Sequence, residues 1–181
     1  MSFLNTLECS LLKNLKEVVL ILIALGANLP SEYGEPEATL KAAIERLERD
    51  GVRVVAHSSV WLTAPVPVSD QPWYRNAVVA IETDLGAGEL MALLHAIEEG
   101  FGRVRGERDA PRLLDLDIIA YHDEIYDEPR LSIPHPRMHG RAFVLKPLQE
   151  IAPEWQHPVL KRLVGELIED LPDDQQAERA A

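Results

Sequence analysis

The sequence has a single cysteine, Cys9, among its 181 residues, so an intramolecular disulfide is excluded. It is also short of positive charge, because 18 Lys and Arg residues stand against 30 Asp and Glu residues, a formal net charge of −12. This balance argues against nucleic acid and against an anionic membrane surface as main partners. The composition therefore predicts a globular protein that needs no oxidising compartment.

Several familiar nucleotide-binding and hydrolytic motifs are missing as well. The chain contains no G-x-x-x-x-G-K-[ST], no G-x-G-x-x-G, no H-E-x-x-H and no G-x-S-x-G. An ATP site in this chain would therefore have to work without a P-loop. No internal repeat and no long linker divides the sequence, which predicts one domain at residues 18–168.

The apolar run at residues 18–27 has two interpretations. It follows two lysines, as the hydrophobic part of a secretory signal peptide does, but acidic residues interrupt the segment before it. It is also shorter than the roughly 20 residues that a membrane-spanning helix needs. Its Val and Ile content and the glycine near its end favour the second interpretation, a buried β-strand.

The periodicity along the chain predicts alternating strands and helices. Strands are expected at residues 18–27, 52–55 with 59–62, 76–83 and 115–121, and helices at 36–49, 88–101, 141–151 and near 160–168. This order predicts an α+β fold with a ferredoxin-like βαββαβ core, in which helices pack on a mainly antiparallel sheet. Residues 1–17 would be an extension of unknown role, and the acidic end at 169–181 would be disordered.

The sharpest local feature is the pair Asp115 and Asp117 in the last predicted strand. Residues i and i+2 of a strand point to one face, so the two carboxylates would be neighbours. Like charges this close need a cation or arginines to offset them, and carboxylate oxygens suit Mg²⁺. The alternative is a solvated acidic end of a strand.

The preceding segment is rich in arginine, with four residues within ten positions: Arg103, Arg105, Arg108 and Arg112. Guanidinium groups bind phosphate oxygens through two parallel hydrogen bonds and stay charged at any relevant pH. Beside paired aspartates they favour a site for a metal–polyphosphate complex. The alternative is a set of surface salt bridges, each contributing less than about 1 kcal/mol.

Two weaker signals lie elsewhere in the chain. His135 stands between two prolines, where it would donate to a phosphate, act as a general acid or serve as a structural hydrogen-bond partner. Trp73, Tyr74, Asn76 and Phe143 offer flat faces and an amide for a planar heterocycle, although aromatic residues are more often part of a core.

Taken in order, these motifs resemble the 6-hydroxymethyl-7,8-dihydropterin pyrophosphokinases of folate biosynthesis. The resemblance rests on the signature at residues 110–119 and on matches at 26–28, 70–76, 102–105, 133–135 and 141–143. It covers about residues 18–154 and assigns the apolar run to the first strand of the domain.

The resemblance implies transfer of pyrophosphate from ATP to the pterin alcohol by a cytoplasmic, monomeric enzyme with two Mg²⁺ ions and no nucleic-acid or membrane partner. Asp115 and Asp117 would hold the metal and act in catalysis with Arg103 and Arg112. The nucleotide would contact Arg103 and Arg112 together with Glu98, Arg105, Ile118, Arg130, Ser132, His135 and Arg141. The pterin would contact Thr63, Ala64, Val66, Tyr74, Asn76 and Phe143.

Two departures from the family pattern concern the arginine-rich loop and the histidine segment. The loop at 105–112 is about one residue shorter, with Asp109 in place of a tryptophan, and Pro136 replaces a tyrosine. Asp117, or a metal-bound water beside it, is the candidate general base. A Mg-dependent phosphohydrolase and a noncatalytic ferredoxin-like ligand-binding module are the alternative functions.

Overall fold

The centre of the fold is an antiparallel sheet in which strand β1 (Ile21–Ala27) lies between two other strands. A computed structural model describes residues 20–103 and 111–180. The other strands of this sheet are β2 (Arg53–His57), β3 (Trp61–Thr63), β4 (Tyr74–Glu82), β5 (Asp115–Tyr121) and β8 (Ala177–Arg179). The strand order is β5-β1-β4-β3-β8, and β2 also pairs with β4. The predicted extension at 1–17 and the loop residues Arg105 and Asp109 lie outside the described residues.

Helices cover both faces of the sheet. Helices α1 (Pro36–Arg49) and α2 (Ala87–Gly100) share one hydrophobic cluster with the sheet, and α3 (Ala142–Ile151) and α4 (Val164–Glu169) share another. In β1, Ile21, Ile23 and Leu25 belong to the first cluster and Leu22 to the second. A strand buried on both faces reads as a continuous apolar run, which explains the pattern of this segment. The interpretation of the run as a buried strand is confirmed for residues 21–27.

The ferredoxin-like βαββαβ arrangement is confirmed by the element order and by the antiparallel pairing of β1 with both β4 and β5. The second strand, predicted in two parts, is observed as β2 and β3, and in the segment between them the hydroxyl of Ser58 accepts from the backbone N–H of Val78 at 3.0 Å. A short hairpin of β6 (Tyr126–Glu128) and β7 (Leu131–Ile133) was not predicted, since three-residue strands carry little periodicity.

The prediction of a disordered acidic tail is wrong for residues 169–180. Helix α4 continues to Glu169, and β8 pairs with β3 in the register Trp61 to Arg179. The ammonium of Lys146 also donates to the carbonyl of Ala177 at 3.1 Å. Backbone pairing at a sheet edge orders this polar segment without burying much apolar surface. No helix among the described residues is long and apolar enough to cross a bilayer.

Candidate active site

A cavity of about 360 Å³ opens at one end of the sheet, where β1, β4 and β5 meet the loop after β3 and the start of α3. It has two chemically different parts. One part carries the charged side chains predicted for the nucleotide and metal: Arg103, Arg112, Asp115, Asp117, His135 and Arg141. The other carries the whole predicted pterin set: Thr63, Ala64, Val66, Tyr74, Asn76 and Phe143. The fold thus brings together residues from both halves of the sequence.

The two aspartates face the cavity because β5 alternates its side chains between two sides. Leu116 and Ile118 pack into the cluster with α1 and α2, while Asp115 and Asp117 line the cavity. Burial raises the pKa of Asp117 to about 6, and the nearby charge of Asp115 acts in the same direction, against the effect of the arginines. Two carboxylates this close are favoured by a nearby cation, and their role as metal ligands stays a prediction.

Asp115 is paired with two arginines. Its Oδ1 accepts from Arg112, and the same oxygen lies 3.1 Å from Nη1 of Arg103. All three side chains are about one-quarter exposed, so solvent reaches them only in part. The two guanidinium groups offset the negative charge of Asp115 at the cavity wall.

Glu98 lies behind the site, on α2, with a side chain that is only 2% exposed. Its Oε1 accepts from the backbone N–H of Leu116 at 2.8 Å and from Arg103. Burial raises the pKa of Glu98 to about 7, although these two hydrogen-bond partners lower it. Glu98 therefore holds Arg103 and the peptide between the two aspartates, and it does not line the cavity.

Asn28 connects the arginine-rich segment with the loop before β4. Asn28 is 2% exposed, and its side-chain Oδ1 accepts from the backbone N–H of Arg112 at 2.8 Å. The same amide also donates to Oε1 of Gln71 and to the carbonyl of Pro72, each at 3.1 Å. Three hydrogen bonds from one buried amide fix the two loops relative to each other.

His135 is a neutral hydrogen-bonding group in this site. Burial lowers its pKa to about 4, and the positive charges of Arg141 and Arg137 lower it further. Its Nδ1 accepts from the backbone N–H of Arg137 at 3.2 Å, so the proton of the neutral ring resides on Nε2. The bond to Arg137 is structural, and the role of His135 as a donor to phosphate stays a prediction.

The uncharged part of the cavity depends on a close approach between β1 and β4. Asn76, which is 6% exposed, donates to the hydroxyl of Thr63 at 2.7 Å. A Cβ at Gly26 would lie 2.8 Å from Oδ1 of Asn76, so glycine is required opposite this amide. Phe143 lines the same part, with the guanidinium of Arg141 5.1 Å from its ring centre.

Four predicted residues are not gathered around the cavity, and one cannot be placed. Ile118 is 1% exposed and belongs to the core, while Arg130 and Ser132 lie at the β6–β7 hairpin. Glu98 does not line the cavity but is bonded to two residues that do, Arg103 and Leu116, and Arg105 lies outside the described residues. Trp73, one of the candidate flat faces, does not line the cavity.

Sequence reasoning missed four polar lining residues, Ser69, Gln71, His95 and Arg137. Gln71 falls within the motif at 70–76, and Arg137 follows the His135 segment, so both had a local signal. His95 had none, because a lone histidine in an amphipathic helix looks like any partly buried residue.

Two carboxylates line the cavity as possible ligands for Mg²⁺. The described residues contain no group of three His, Cys, Asp or Glu side chains able to hold a metal ion. Mg²⁺ needs no such group, because it keeps several waters and takes one or two carboxylates together with substrate phosphates. Asp115 and Asp117 supply those two carboxylates on one face of β5, so the residues fit this ion.

Comparison with known proteins gives the same assignment. The family model described as 7,8-dihydro-6-hydroxymethylpterin-pyrophosphokinase (HPPK) matches residues 22–153. Two relatives are named 2-amino-4-hydroxy-6-hydroxymethyldihydropteridine pyrophosphokinase. The one from Pseudomonas aeruginosa is 42% identical over 139 residues, 76% of this chain and 83% of the relative. The one from Haemophilus influenzae is 42% identical over 151 residues, 83% of this chain and 92% of the relative.

Solved structures support the fold. A Plasmodium falciparum HPPK-DHPS triple mutant with STZ-DHP has a TM-score of 0.65 at 15% identity, and another variant with pterin and p-hydroxybenzoate has 0.63 at 13%. The matches cover 83% of this chain but only 42% and 43% of those longer chains. With the family model matching most of the sequence, the chain belongs to the 7,8-dihydro-6-hydroxymethylpterin-pyrophosphokinase family.

Proposed function

We propose that the chain transfers pyrophosphate from ATP to 6-hydroxymethyl-7,8-dihydropterin in a Mg²⁺-dependent reaction that yields AMP and the pterin pyrophosphate. This proposal rests on the observation that a single cavity contains two chemically different parts. Arginines and aspartates line one part, and an amide, a hydroxyl and aromatic rings line the other. A polyphosphate and a planar heterocycle can therefore meet in it.

The acceptor is positioned by the uncharged part. In this proposal Tyr74 and Phe143 contact the faces of the pterin ring, and Asn76 forms hydrogen bonds with its edge. The bond from Asn76 to Thr63 fixes the orientation of the amide before the ligand arrives. Fixed placement of the acceptor hydroxyl lowers the entropic part of the barrier, because less freedom is lost during the reaction.

The phosphates are bound by the charged part. Arg103 and Arg112 already point at Asp115, and we propose that they move their hydrogen bonds to phosphate oxygens when the nucleotide enters. His135 would donate through Nε2 without adding charge. Bound by Asp115 and Asp117, Mg²⁺ would supply charge neutralisation for the triphosphate.

In the reaction the hydroxymethyl oxygen forms a bond to the β-phosphorus of ATP, and the bond from that phosphorus to the α–β bridging oxygen breaks. AMP leaves with the bridging oxygen, and the hydroxyl proton is released. The arginines stabilise charge on the transferring group and the leaving group, which is the main catalytic contribution that the described residues can make. We further expect a cytoplasmic monomer whose partners are these two small molecules.

The proposal is tested by incubating the protein with MgATP, with and without the pterin alcohol, and separating the nucleotides. We expect AMP and the pterin pyrophosphate in equal amounts, and only when the acceptor is present. Formation of ADP would contradict pyrophosphate transfer. Release of free phosphate or pyrophosphate without the pterin would instead indicate a phosphohydrolase.

A further inference from the structure

The C-terminal strap, defined here as residues 172–180, lies beyond the part of the chain that the family model matches. It joins the sheet through β8, whose Ala177 is paired with Thr63 of the cavity wall. A further bond runs from the N–H of Ala180 to the carbonyl of Val60 at 2.9 Å. The strap is thus attached along the full length of β3.

Gln175 of the C-terminal strap holds the start of α3. Its Oε1 accepts from the backbone N–H of Ala142, and its Nε2 donates to the carbonyl of Gly140, both at 2.8 Å. Arg141, the residue that precedes the helix, provides no side-chain cap of its own. One amide therefore holds the peptide groups on both sides of Arg141 and supplies the missing cap for the helix that carries Phe143.

The next residue of the strap holds another part of the wall. The carbonyl of Gln176 accepts from the backbone N–H of Ala64 at 3.2 Å. Ala64 and Phe143 both line the uncharged part of the cavity, although they come from distant parts of the sequence. Adjacent residues of the strap are thus bonded to two separate segments of one binding surface.

We propose that Gln175 is a positioning residue for the acceptor, and that residues 175–177 fix the start of α3 relative to the loop at Ala64. This inference rests on the proposed function, because the acceptor must be the ligand of the uncharged part. Contact with a flat ring depends on the distance between the two segments of the cavity wall, the start of α3 and the loop at Ala64. The attraction of Arg141 for phosphate changes little over a few tenths of an ångström. The strap should therefore affect the acceptor more than ATP.

The test is steady-state kinetics of Gln175→Ala in the full chain. We expect the KM for the pterin alcohol to rise about fivefold, equivalent to about 1 kcal/mol, the typical net value of a hydrogen bond. The KM for ATP and kcat should each stay within about twofold. Unchanged KM values with a lowered Tm, or an equal rise in both KM values, would overturn the inference, because the strap would then only support the fold.

Two further variants separate positioning from stability. Gln175→Glu keeps an acceptor for Ala142 but loses the donor to Gly140, so its KM for the pterin alcohol should lie between those of the unchanged protein and Gln175→Ala. If Gln175→Ala does not fold, Gln175→Glu decides by the same comparison of the two KM values. Gln156→Ala is the matched control, since that amide donates to the carbonyl of Lys161 at 2.9 Å on an exposed turn.

Amide exchange gives a readout that does not depend on catalysis. Ala64 makes no bond to the side chain of Gln175 but is attached to the next residue of the strap. We expect its N–H to exchange faster in Gln175→Ala than in Gln156→Ala, and an unchanged rate would contradict coupling through the strap. Failure of the unchanged protein to form AMP with the pterin alcohol would count against the proposed function, whatever the exchange result.

Discussion

At the scale of single residues, the site depends on carboxylates in three different environments. Asp115 is bonded to arginines, Asp117 lies beside it with its pKa raised to about 6, and Glu98 is buried behind both with its pKa raised to about 7. The first two face the cavity, whereas the third holds backbone and Arg103. Their roles should therefore be separable by isosteric substitution.

The substitutions Asp115→Asn and Asp117→Asn should each lower kcat by about 10²-fold or more, because each removes a charge that we propose holds the metal. The thermal transition should survive, since neither side chain belongs to a hydrophobic cluster. The measurement is AMP formation alongside thermal unfolding. Asp127→Asn, on the exposed part of β6, is the matched control. A near-normal rate in either site variant would refute the metal assignment.

Glu98→Gln tests the buried carboxylate through the pH dependence of stability. Because the folded-state pKa of Glu98 is raised from 4.5 to about 7, the folded protein binds more protons than the unfolded chain between these values. The contribution of Glu98 to the free energy of unfolding should thus fall by roughly 1 to 3 kcal/mol as the pH rises from 4.5 to 7. Glu98→Gln should lack this loss. Urea unfolding at pH 5 and pH 8 measures the difference, and identical pH slopes in both proteins would contradict it.

The aspartate pair was predictable from sequence because the alternation of a strand is a local property. The role of Glu98 was not, because its partners Leu116 and Arg103 are reached only when α2 packs beside β5. Asn28 illustrates an intermediate case. It lies in a motif that the sequence singled out, yet its bonds to Arg112 and Gln71 depend on tertiary contacts.

At the scale of elements, the contact between β1 and β4 determines how much room the acceptor has. Gly26 is paired with Asn76, and no side chain fits between them without moving the amide. A displaced amide would lose its bond to Thr63 and its alignment with the ligand.

Gly26→Ala should therefore raise the KM for the pterin alcohol about tenfold, the equivalent of about 1.4 kcal/mol, with a smaller effect on the KM for ATP. Both KM values should be measured at saturating concentrations of the other substrate. Gly88→Ala is the control, because that glycine lies in α2 with no atom within 4 Å of an added Cβ. Equal KM values in Gly26→Ala and Gly88→Ala would refute the assignment of the Asn76 part to the acceptor.

Long periodic elements were predicted well, and short ones poorly. The helices α1 and α2 have one clearly apolar face, so their extents differ from expectation by only a residue or so. The strand β8 contains Ala, Glu and Arg, and nothing in that composition indicates a strand. β8 is held in place by its pairing with β3 and by the bond from the backbone of Ala142 to the side chain of Gln175. Both are contacts between distant parts of the sequence, so a local pattern cannot indicate them.

At the scale of the whole molecule, the net negative charge contrasts with the arginines of a site that we propose binds a polyanion. The net charge is −12, but Arg103, Arg112 and Arg141 are gathered at one end of the sheet. With the two aspartates among them, nucleotide binding should need a cation to complete the charge balance.

ATP alone should thus stabilise the protein less than ATP with Mg²⁺ does. At about 100 times the Kd, bound nucleotide adds roughly 2.7 kcal/mol, which raises the Tm by about 5 to 10 °C for a domain of this size. Thermal unfolding without the pterin, with Mg²⁺ or with a chelator, measures the difference. An equal shift under both conditions would mean that the nucleotide binds without the metal, and Asp115→Asn should remove the Mg²⁺-dependent part of the shift.

The position of β1 between β4 and β5 has a consequence for how the protein folds. β1 comes early in the sequence, and its two neighbours β4 and β5 are both distant along the chain. Both contacts close long loops, which makes folding slow relative to that of a helical bundle of similar size. Since Gly26 is paired with Asn76 on one side and with Asp115 on the other, the two parts of the cavity come together only when both pairings have formed. Recovery of activity during refolding should therefore coincide with completion of the sheet and not precede it.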